Sequence, residues 1–256
     1  MSIWSSLDLA RAPSDGPVAF HDDLGPECLL DAYRHGLYPF PTATAERRAL
    51  RRRAYRADVA AGRIRVLDGA GDRDPYAVAW CSPDPRPVIL VDRARAQRSL
   101  RQHLRNRVDW RTTVDACFDR VLEHCRADRD PRWMTDALCA SMRRLHEAGH
   151  AHSVEVWDGD ELIGGTYGVR VGRVFSADSQ FTLRSGAGKV AVADLVRRFA
   201  EAGGTAVDVQ QDGDHARLLG ARLVPRSRYL ALLRAGDAGV GALPTGPLPA
   251  RRLADA

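Results

Sequence analysis

The chain has 256 residues, 45% hydrophobic and 28% charged, with a formal net charge of +5. This length and globular composition suit one large domain, or a small one beside a medium one. No run approaches the ~18 apolar residues of a membrane span, so an integral membrane helix is excluded.

Residues 1–18 read as a loose leader without the basic start and apolar stretch of a secretory signal. LGPECLLDAYRHG (24–36) carries apolar residues at helical spacing, opened by Gly25-Pro26 and closed by Gly36. The stretch 42–68 is different: Arg47, Arg48, Arg51, Arg52, Arg53, Arg56, Arg63 and Arg65 stand against Glu46 and Asp58, which reads as a helical insertion or arm. GAGDRDP (69–75) is a linker. YAVAW and VILV are short strands around the turn-rich SPDPRP. Residues 94–106 and 113–126 are amphipathic helix candidates, and a third helix covers 134–148 before Gly149. Beyond Gly149 the period changes to two: HSVEVW, the turn Asp158-Gly159-Asp160 and ELIGGTYGVRV form a hairpin, and VFSADSQF adds a third strand. Gly186 and Gly188 lead into a helix from Lys189 to Ala202. TAVDVQ is a short buried strand, followed by a helix near 214–220 and the apolar run RYLALL. The Gly/Pro-rich tail 236–256 reads as unpacked. The order of elements predicts an α+β fold with a mixed sheet. Domain limits are expected at 1–75 and 76–235.

The five cysteines, Cys28, Cys81, Cys117, Cys125 and Cys139, are odd in number and form no C-x-x-C pair. That argues against a disulfide scaffold or a cysteine zinc site and for a reducing cytoplasm. Lys189 is the single lysine, so the positive balance is almost wholly arginine; it permits nucleic-acid binding without showing it. HEAGH (146–150) matches H-E-x-x-H, but Gly149 falls where the helix ends, so the two histidines do not share a helical face, and no metal is expected. Gly186-Ala187-Gly188-Lys189 lacks the Ser or Thr of a phosphate loop. No G-x-S-x-G occurs. Asp208 and Gln210 stand two apart in TAVDVQ. A carboxylate and an amide on one face of a short apolar strand are costly without partners, so they are either a hydrogen-bonded core pair or a site. Asp178 closes the preceding strand in a comparable way.

Several runs together resemble the leucyl/phenylalanyl-tRNA–protein transferases. They are LLDAYRHGLYPF (29–40), WCSPDPRPVIL (80–90), RWMTDAL (132–138), RLHEAGHAHSVEVW (144–157), IGGTYGV (163–169), DSQF (178–181), VDVQ (207–210), DHARLLGA (214–221) and VPRSRYL (224–230). The likeness covers about 18–233, less the Arg-rich insertion. It implies a small N-terminal domain on a larger acetyltransferase-like (GNAT) domain. It also implies an aminoacyltransferase that needs no cofactor, because the aminoacyl ester of its tRNA is already activated. Gln210 falls at the family's catalytic glutamine and Asp208 at its partner. Trp133, Phe40 and Tyr33 match positions near the tRNA 3′-terminal adenosine, with Phe40 standing where a tryptophan is usual. In the aminoacyl pocket Asp178 replaces a glutamate, Thr166 and Gln180 replace two methionines, Leu195 replaces a phenylalanine, and Phe199 is retained. Met142 replaces a tyrosine and Gly213 an asparagine. Losing two methionines removes soft apolar lining, which implies a smaller or more polar aminoacyl group. The implied partners are aminoacyl-tRNA and an amine acceptor: a protein N-terminal Arg or Lys by default, or a small-molecule amine. The other readings are a non-catalytic tRNA-binding relative and an acyl-CoA-dependent acyltransferase. The second would need a pyrophosphate loop that Ser185–Lys189 imitates only weakly.

Overall fold

Two sheets organise the chain. In the computed structural model, residues 2–67, 73–93, 98–106, 109–127 and 133–254 are described. The linker at 69–75, the start of the helix at 94 and Arg132 lie wholly or partly outside them. The small sheet has four strands in the order Tyr38–Pro41, Val78–Cys81, Pro17–Phe20 and Arg65–Val66. The large sheet has eight, in the order Arg222–Val224, Arg86–Leu90, Ala206–Asp208, Val174–Thr182, Glu161–Val171, Ala151–Asp158, Trp110–Val114 and Leu248–Pro249. Ala206–Asp208 pairs parallel with Val174–Thr182 and antiparallel with Arg86–Leu90, so the sheet is mixed and the fold is α+β. Val78–Cys81 is an inner strand of the small sheet, so that sheet draws on residues beyond 75.

The meander at 151–182 follows from the period-two pattern, with Gly159 at φ +59° making the first turn. The helix Pro26–Arg34 begins at its proline and ends before Gly36, whose φ is +81°. The helix Ala187–Glu201 lies across the meander and buries ten of its residues. Gly168 permits a close approach: a Cβ there would sit 1.9 Å from the Ser176 carbonyl oxygen. At this point the pairing slips, with Tyr167 opposite Ser179 and Gly168 opposite Ala177. Asp178 is thereby the extra residue of a β-bulge, a device that re-aims side chains beside functional sites.

Three expectations need correcting, and the apolar run RYLALL gains an element. The leader is docked: Trp4 is buried and packs on Trp80 at 4.6 Å between ring centroids. The helix expected over 113–126 is a strand, Trp110–Val114, then a helix, Phe118–Arg126; the alternation in WRTTV outweighs the helical spacing. RYLALL belongs to a helix, Arg226–Arg234. The tail is packed, with Leu243, Ala250 and Leu253 buried and Leu248–Pro249 paired to Trp110–Val114. Among the described residues no helix is long and apolar enough to cross a membrane. The five cysteines are free thiols.

Candidate functional site

Register brings the polar residues together. Asp208 lies opposite Ser176 on one neighbouring strand and opposite Val88 on the other, two residues from Arg86. Arg86 donates from Nε to Asp208 Oδ1 (2.9 Å) and from Nη2 to Oδ2 (2.7 Å), and both side chains are buried. The guanidinium also lies over the rings of Tyr38 and Tyr229. Burial pulls the Arg86 pKa down, but the Asp208 charge more than offsets it and the net shift is upward. Tyr229 OH donates to Asp208 Oδ2 at 3.0 Å. A carboxylate sealed from water is tolerated only with such a full set of donors.

Gln210 does not share a strand face with Asp208, as the alternation in TAVDVQ implies. The strand ends at Asp208, and Gln210 sits beyond it at φ +63°, a left-handed conformation uncommon for a residue with a Cβ. Asp208 Oδ1 accepts the Gln210 backbone N–H at 2.8 Å, so the carboxylate fixes the loop rather than the amide. The amide is fixed by other groups. Its Nε2 donates to Ser176 Oγ (3.0 Å) and to Asp178 Oδ1 (2.6 Å), while Tyr33 OH donates to Asp178 Oδ2 (2.5 Å). Ser176 donates onward to Asp208 at 3.2 Å. The Gln210 amide oxygen makes no hydrogen bond among the described residues and is the group left over for a ligand. Burial pushes the Asp178 carboxyl up to about 7, against the hydrogen bond from Tyr33 and with the added push of the Asp208 charge. Burial and then Asp178 raise the Tyr33 phenol, and burial and then Asp208 raise Tyr229, so both remain donors.

Two hollows meet at Gln210. The inner one, of about 320 Å³, is lined by Asp178, Thr166, Gln180, Phe40, Trp133 and Val192, among others. Phe40 and Trp133 stack at its edge, 5.6 Å apart and 11° from parallel. Thr166 spends its hydroxyl on the Ser179 carbonyl at 2.9 Å, and Gln180 Nε2 contacts His215 Nε2. The outer hollow, of about 810 Å³, reaches Gln210 from the small-sheet side. Gln210 therefore lies beside open space, while Asp208 is wholly buried behind it among polar partners. Leu195 and Phe199 do not line either hollow. Both are wholly buried, Phe199 against Phe175. Tyr33 acts on the site through Asp178 and is not part of the lining. Met142 is wholly buried, and Gly213 lines the inner hollow.

Sequence reasoning missed Ser176, Arg86, Tyr229 and His215 as site members. Arg86, His215 and Tyr229 stand inside the resembling runs, but only strand register shows what they touch. HEAGH does not present two histidines on one helical face: its helix, Asp136–Glu147, ends before His150, and His146 Nδ1 lies 2.9 Å from the Ala151 carbonyl, the ring stacked on Phe118. Among the described residues, His21, Asp23 and Cys28 hold their ligand atoms within 4.8 Å of one another. Asp23 already accepts the Gly25 N–H at 2.7 Å, and burial, with nearby Asp23, pushes the Cys28 thiol up to about 12.

Comparison with known proteins gives one family. Residues 88–234 match the family described as leucyl/phenylalanyl-tRNA protein transferase. A leucyl/phenylalanyl-tRNA–protein transferase of Erwinia tasmaniensis is 34% identical over 227 residues, 88% of this chain and 85% of that one. The enzyme of the same name from Shewanella sp. is 32% identical over 233 residues, 90% of this chain and 85% of its own. That from Xanthomonas axonopodis pv. citri is 34% identical over 84% of this chain and 76% of its own. A crystal structure of a conserved protein of unknown function from Bacteroides thetaiotaomicron has a TM-score of 0.42 at 14% identity, covering 91% of this chain and 94% of that one.

Proposed function

The chain belongs to the leucyl/phenylalanyl-tRNA–protein transferase family and is an aminoacyl-tRNA-dependent aminoacyltransferase; on that premise we propose that Gln210 is its catalytic amide, set between an aminoacyl-ester cavity and an acceptor groove. The inner cavity takes the 3′-terminal adenosine against Phe40 and Trp133, since a base stacks on any aromatic face. The aminoacyl α-ammonium lies on Asp178, and the side chain points toward Thr166, Gln180 and Val192.

The reaction needs no external activation. The acceptor nitrogen forms a bond to the ester carbonyl carbon, and the bond from that carbon to the ribose oxygen breaks. The proton lost by the nitrogen ends on the ribose oxygen, giving an amide and uncharged tRNA. The Gln210 oxygen accepts an N–H of the attacking amine and aims its lone pair at the carbonyl. As positive charge develops on nitrogen, the dipole of an amide backed by Asp178 stabilises it. Asp208 is a positioning residue that holds the loop of Gln210 in its left-handed conformation. By default the acceptor is the N-terminal Arg or Lys of a protein. The mixed lining implies a smaller or more polar aminoacyl group than leucyl or phenylalanyl.

The observation that carries this reading is an amide at the meeting point of two hollows, its NH₂ tied down and its oxygen uncommitted. The test is Gln210→Ala, assayed by mass shift against a full set of charged tRNAs and a peptide library. We expect turnover to fall roughly 100- to 1,000-fold with aminoacyl-tRNA binding retained. Wild-type turnover in the variant would remove Gln210 from catalysis. An inactive wild type that still binds tRNA would favour the non-catalytic reading. A preference for leucyl- or phenylalanyl-tRNA over all others would overturn the altered pocket.

A further inference from the structure

We propose that His21, Asp23 and Cys28 bind a zinc ion, which ties the end of the strand Pro17–Phe20 to the first turn of the helix Pro26–Arg34. The site is separate from the one at Gln210, since none of the three residues lines either hollow there. It does not depend on the transferase reading.

The donor set comes first. A ring nitrogen of His21, a carboxylate oxygen of Asp23 and the Cys28 sulfur lie within 4.8 Å of one another. Ligand atoms about 2.0–2.3 Å from a tetrahedral zinc stand roughly 3.3–3.7 Å apart, so small side-chain rotations close the gap. One nitrogen, one oxygen and one sulfur suit zinc and not the all-oxygen shells of calcium or magnesium. The lack of a C-x-x-C pair argues against a site made of cysteines alone; one cysteine serves where a histidine and an aspartate complete the set.

Each ligand is held from behind. His21 is buried, and its Nδ1 lies 3.3 Å from the Leu67 carbonyl. A carbonyl only accepts, so the ring carries its proton on Nδ1 and its lone pair on Nε2, the state in which an imidazole binds a metal. Trp80 Nε1 donates to the His21 carbonyl at 2.9 Å, and Trp4 Nε1 donates to the Cys28 carbonyl at 3.3 Å. The two indoles pack on each other, so one aromatic pair fixes both backbones. Asp23 Oδ1 accepts the Gly25 N–H at 2.7 Å, which orients that carboxylate. Cys28 stands in the first turn of its helix, where the positive end of the dipole favours a thiolate.

The surrounding charge is a separate observation. The Asp22 side chain is 2% exposed, and neither of its carboxylate oxygens has a hydrogen-bond donor among the described residues; Arg73 Nε stands 3.2 Å away as an ion pair. Asp22, Asp23 and Asp31 all act on the Cys28 sulfur through their charge, and Asp31 has His35 at 3.4 Å. A carboxylate sealed from water without donors is costly, and a divalent cation among these groups offsets that cost. Binding forms bonds from zinc to nitrogen, oxygen and sulfur and releases the thiol proton to solvent; nothing is oxidised or reduced. The metal's part is structural. Its helix carries Tyr33, which donates to Asp178, so the ion stiffens a support of the Gln210 site from a distance.

The experiment takes the untagged full chain, strips it with a chelator, and titrates it with zinc in competition with a chromophoric chelator and with cobalt by absorption. One zinc per chain is expected. Cobalt should give d–d bands of tetrahedral intensity and a thiolate-to-metal charge-transfer band. Cys28→Ser should abolish that band and weaken zinc roughly 100-fold or more, and Asp23→Asn, which can still accept the Gly25 N–H, about tenfold or more, since even outer partners of a ligand are worth about 10–100-fold. Cys117→Ser, at a half-buried thiol outside the cluster, should change neither. Zinc at a hundred times its Kd should raise the wild-type Tm by roughly 5–10 °C, and that of Cys28→Ser by no more than about 2 °C at the same concentration. The cobalt spectrum of wild type needs no variant, so it decides even where a substitution unfolds the chain. A wild-type spectrum without the charge-transfer band, equal zinc binding by wild type and Cys28→Ser, loss of binding in Cys117→Ser, or zinc binding with no rise in Tm overturns the site.

Discussion

The two hollows that meet at Gln210 are built in opposite ways. The inner one is cut into the large sheet and the helix Ala187–Glu201, with its polar groups fixed by strand register, a β-bulge and the buried Arg86–Asp208 pair. The outer one sets small-sheet strands beside a leader, a turn, a loop and an insertion, and exposes leucines and carboxylates to water. Chemistry that needs a reacting group within a fraction of an ångström belongs on the first kind of frame. Choice of partner can be changed on the second without touching that frame.

The largest effect should come from breaking the frame. Arg86→Met leaves the Asp208 carboxylate buried with only Tyr229, Ser176 and a backbone N–H as donors. Removing one member of a buried pair costs about 3–5 kcal/mol. Denaturant titration is expected to show that loss, and transfer activity should fall with it, because the loop of Gln210 hangs on Asp208. If the variant is as stable as wild type, the inner hollow is no more rigid than the outer one and the contrast fails.

A smaller effect should follow pH. Asp178 has its pKa raised to about 7, so the folded chain holds that proton more tightly than the unfolded chain does. Stability from this source is present below the ordinary carboxylate range and is lost as pH rises toward about 7. Asp178→Asn removes the dependence. Between pH 5 and 8 wild type should lose stability relative to the variant by roughly 1 kcal/mol, or about 2–4 °C in Tm, allowing for partial solvent access. Activity runs the other way. On the proposed reading the ionised form binds the α-ammonium, so kcat/KM for aminoacyl-tRNA should rise through about pH 7 in wild type and be flat and low in the variant. A flat wild-type profile would place the ammonium elsewhere.

The same contrast decides what could be read from sequence. The meander was legible because alternation and the Asp158–Asp160 turn are local signals, and the helix Pro26–Arg34 because its start and stop are marked by Pro26 and Gly36. Gln210 and Asp208 were legible as a costly pair, which the family likeness reads as a site and not as a core pair. Their geometry was not, because TAVDVQ alternates one step further than the strand extends. What ends the strand is a long-range clamp through Arg86 and Tyr229. Leu195 and Phe199 sit on the right helix, but only packing shows that Val192 reaches the cavity in their place. The docking of Trp4 and Leu253 was hidden for a similar reason: isolated apolar residues among Gly, Pro and Ser give no periodic signal. The part the insertion plays was not legible in composition, since a run of arginines looks the same whether it faces phosphate or carbonyl oxygen.

The smallest expected effect tests that last point. Arg53, Arg56 and Arg65 have no ion-pair partner among the described residues, so they are the insertion's best remaining candidates for touching tRNA. Replacing all three by Gln keeps the helices and removes three charges. If the insertion grips the phosphate backbone, the slope of log affinity against log salt should flatten by roughly 0.7–0.9 for each phosphate no longer neutralised. If the insertion does not touch the tRNA, the slope and the low-salt affinity for aminoacyl-tRNA should stay as they are, because no phosphate contact is lost. Measurement from 50 to 300 mM salt separates the two outcomes even when a change in net charge shifts all affinities slightly. Only an arginine seated on a phosphate changes the number of counterions displaced, so a slope flattened by the equivalent of one phosphate or more would return this segment to the tRNA.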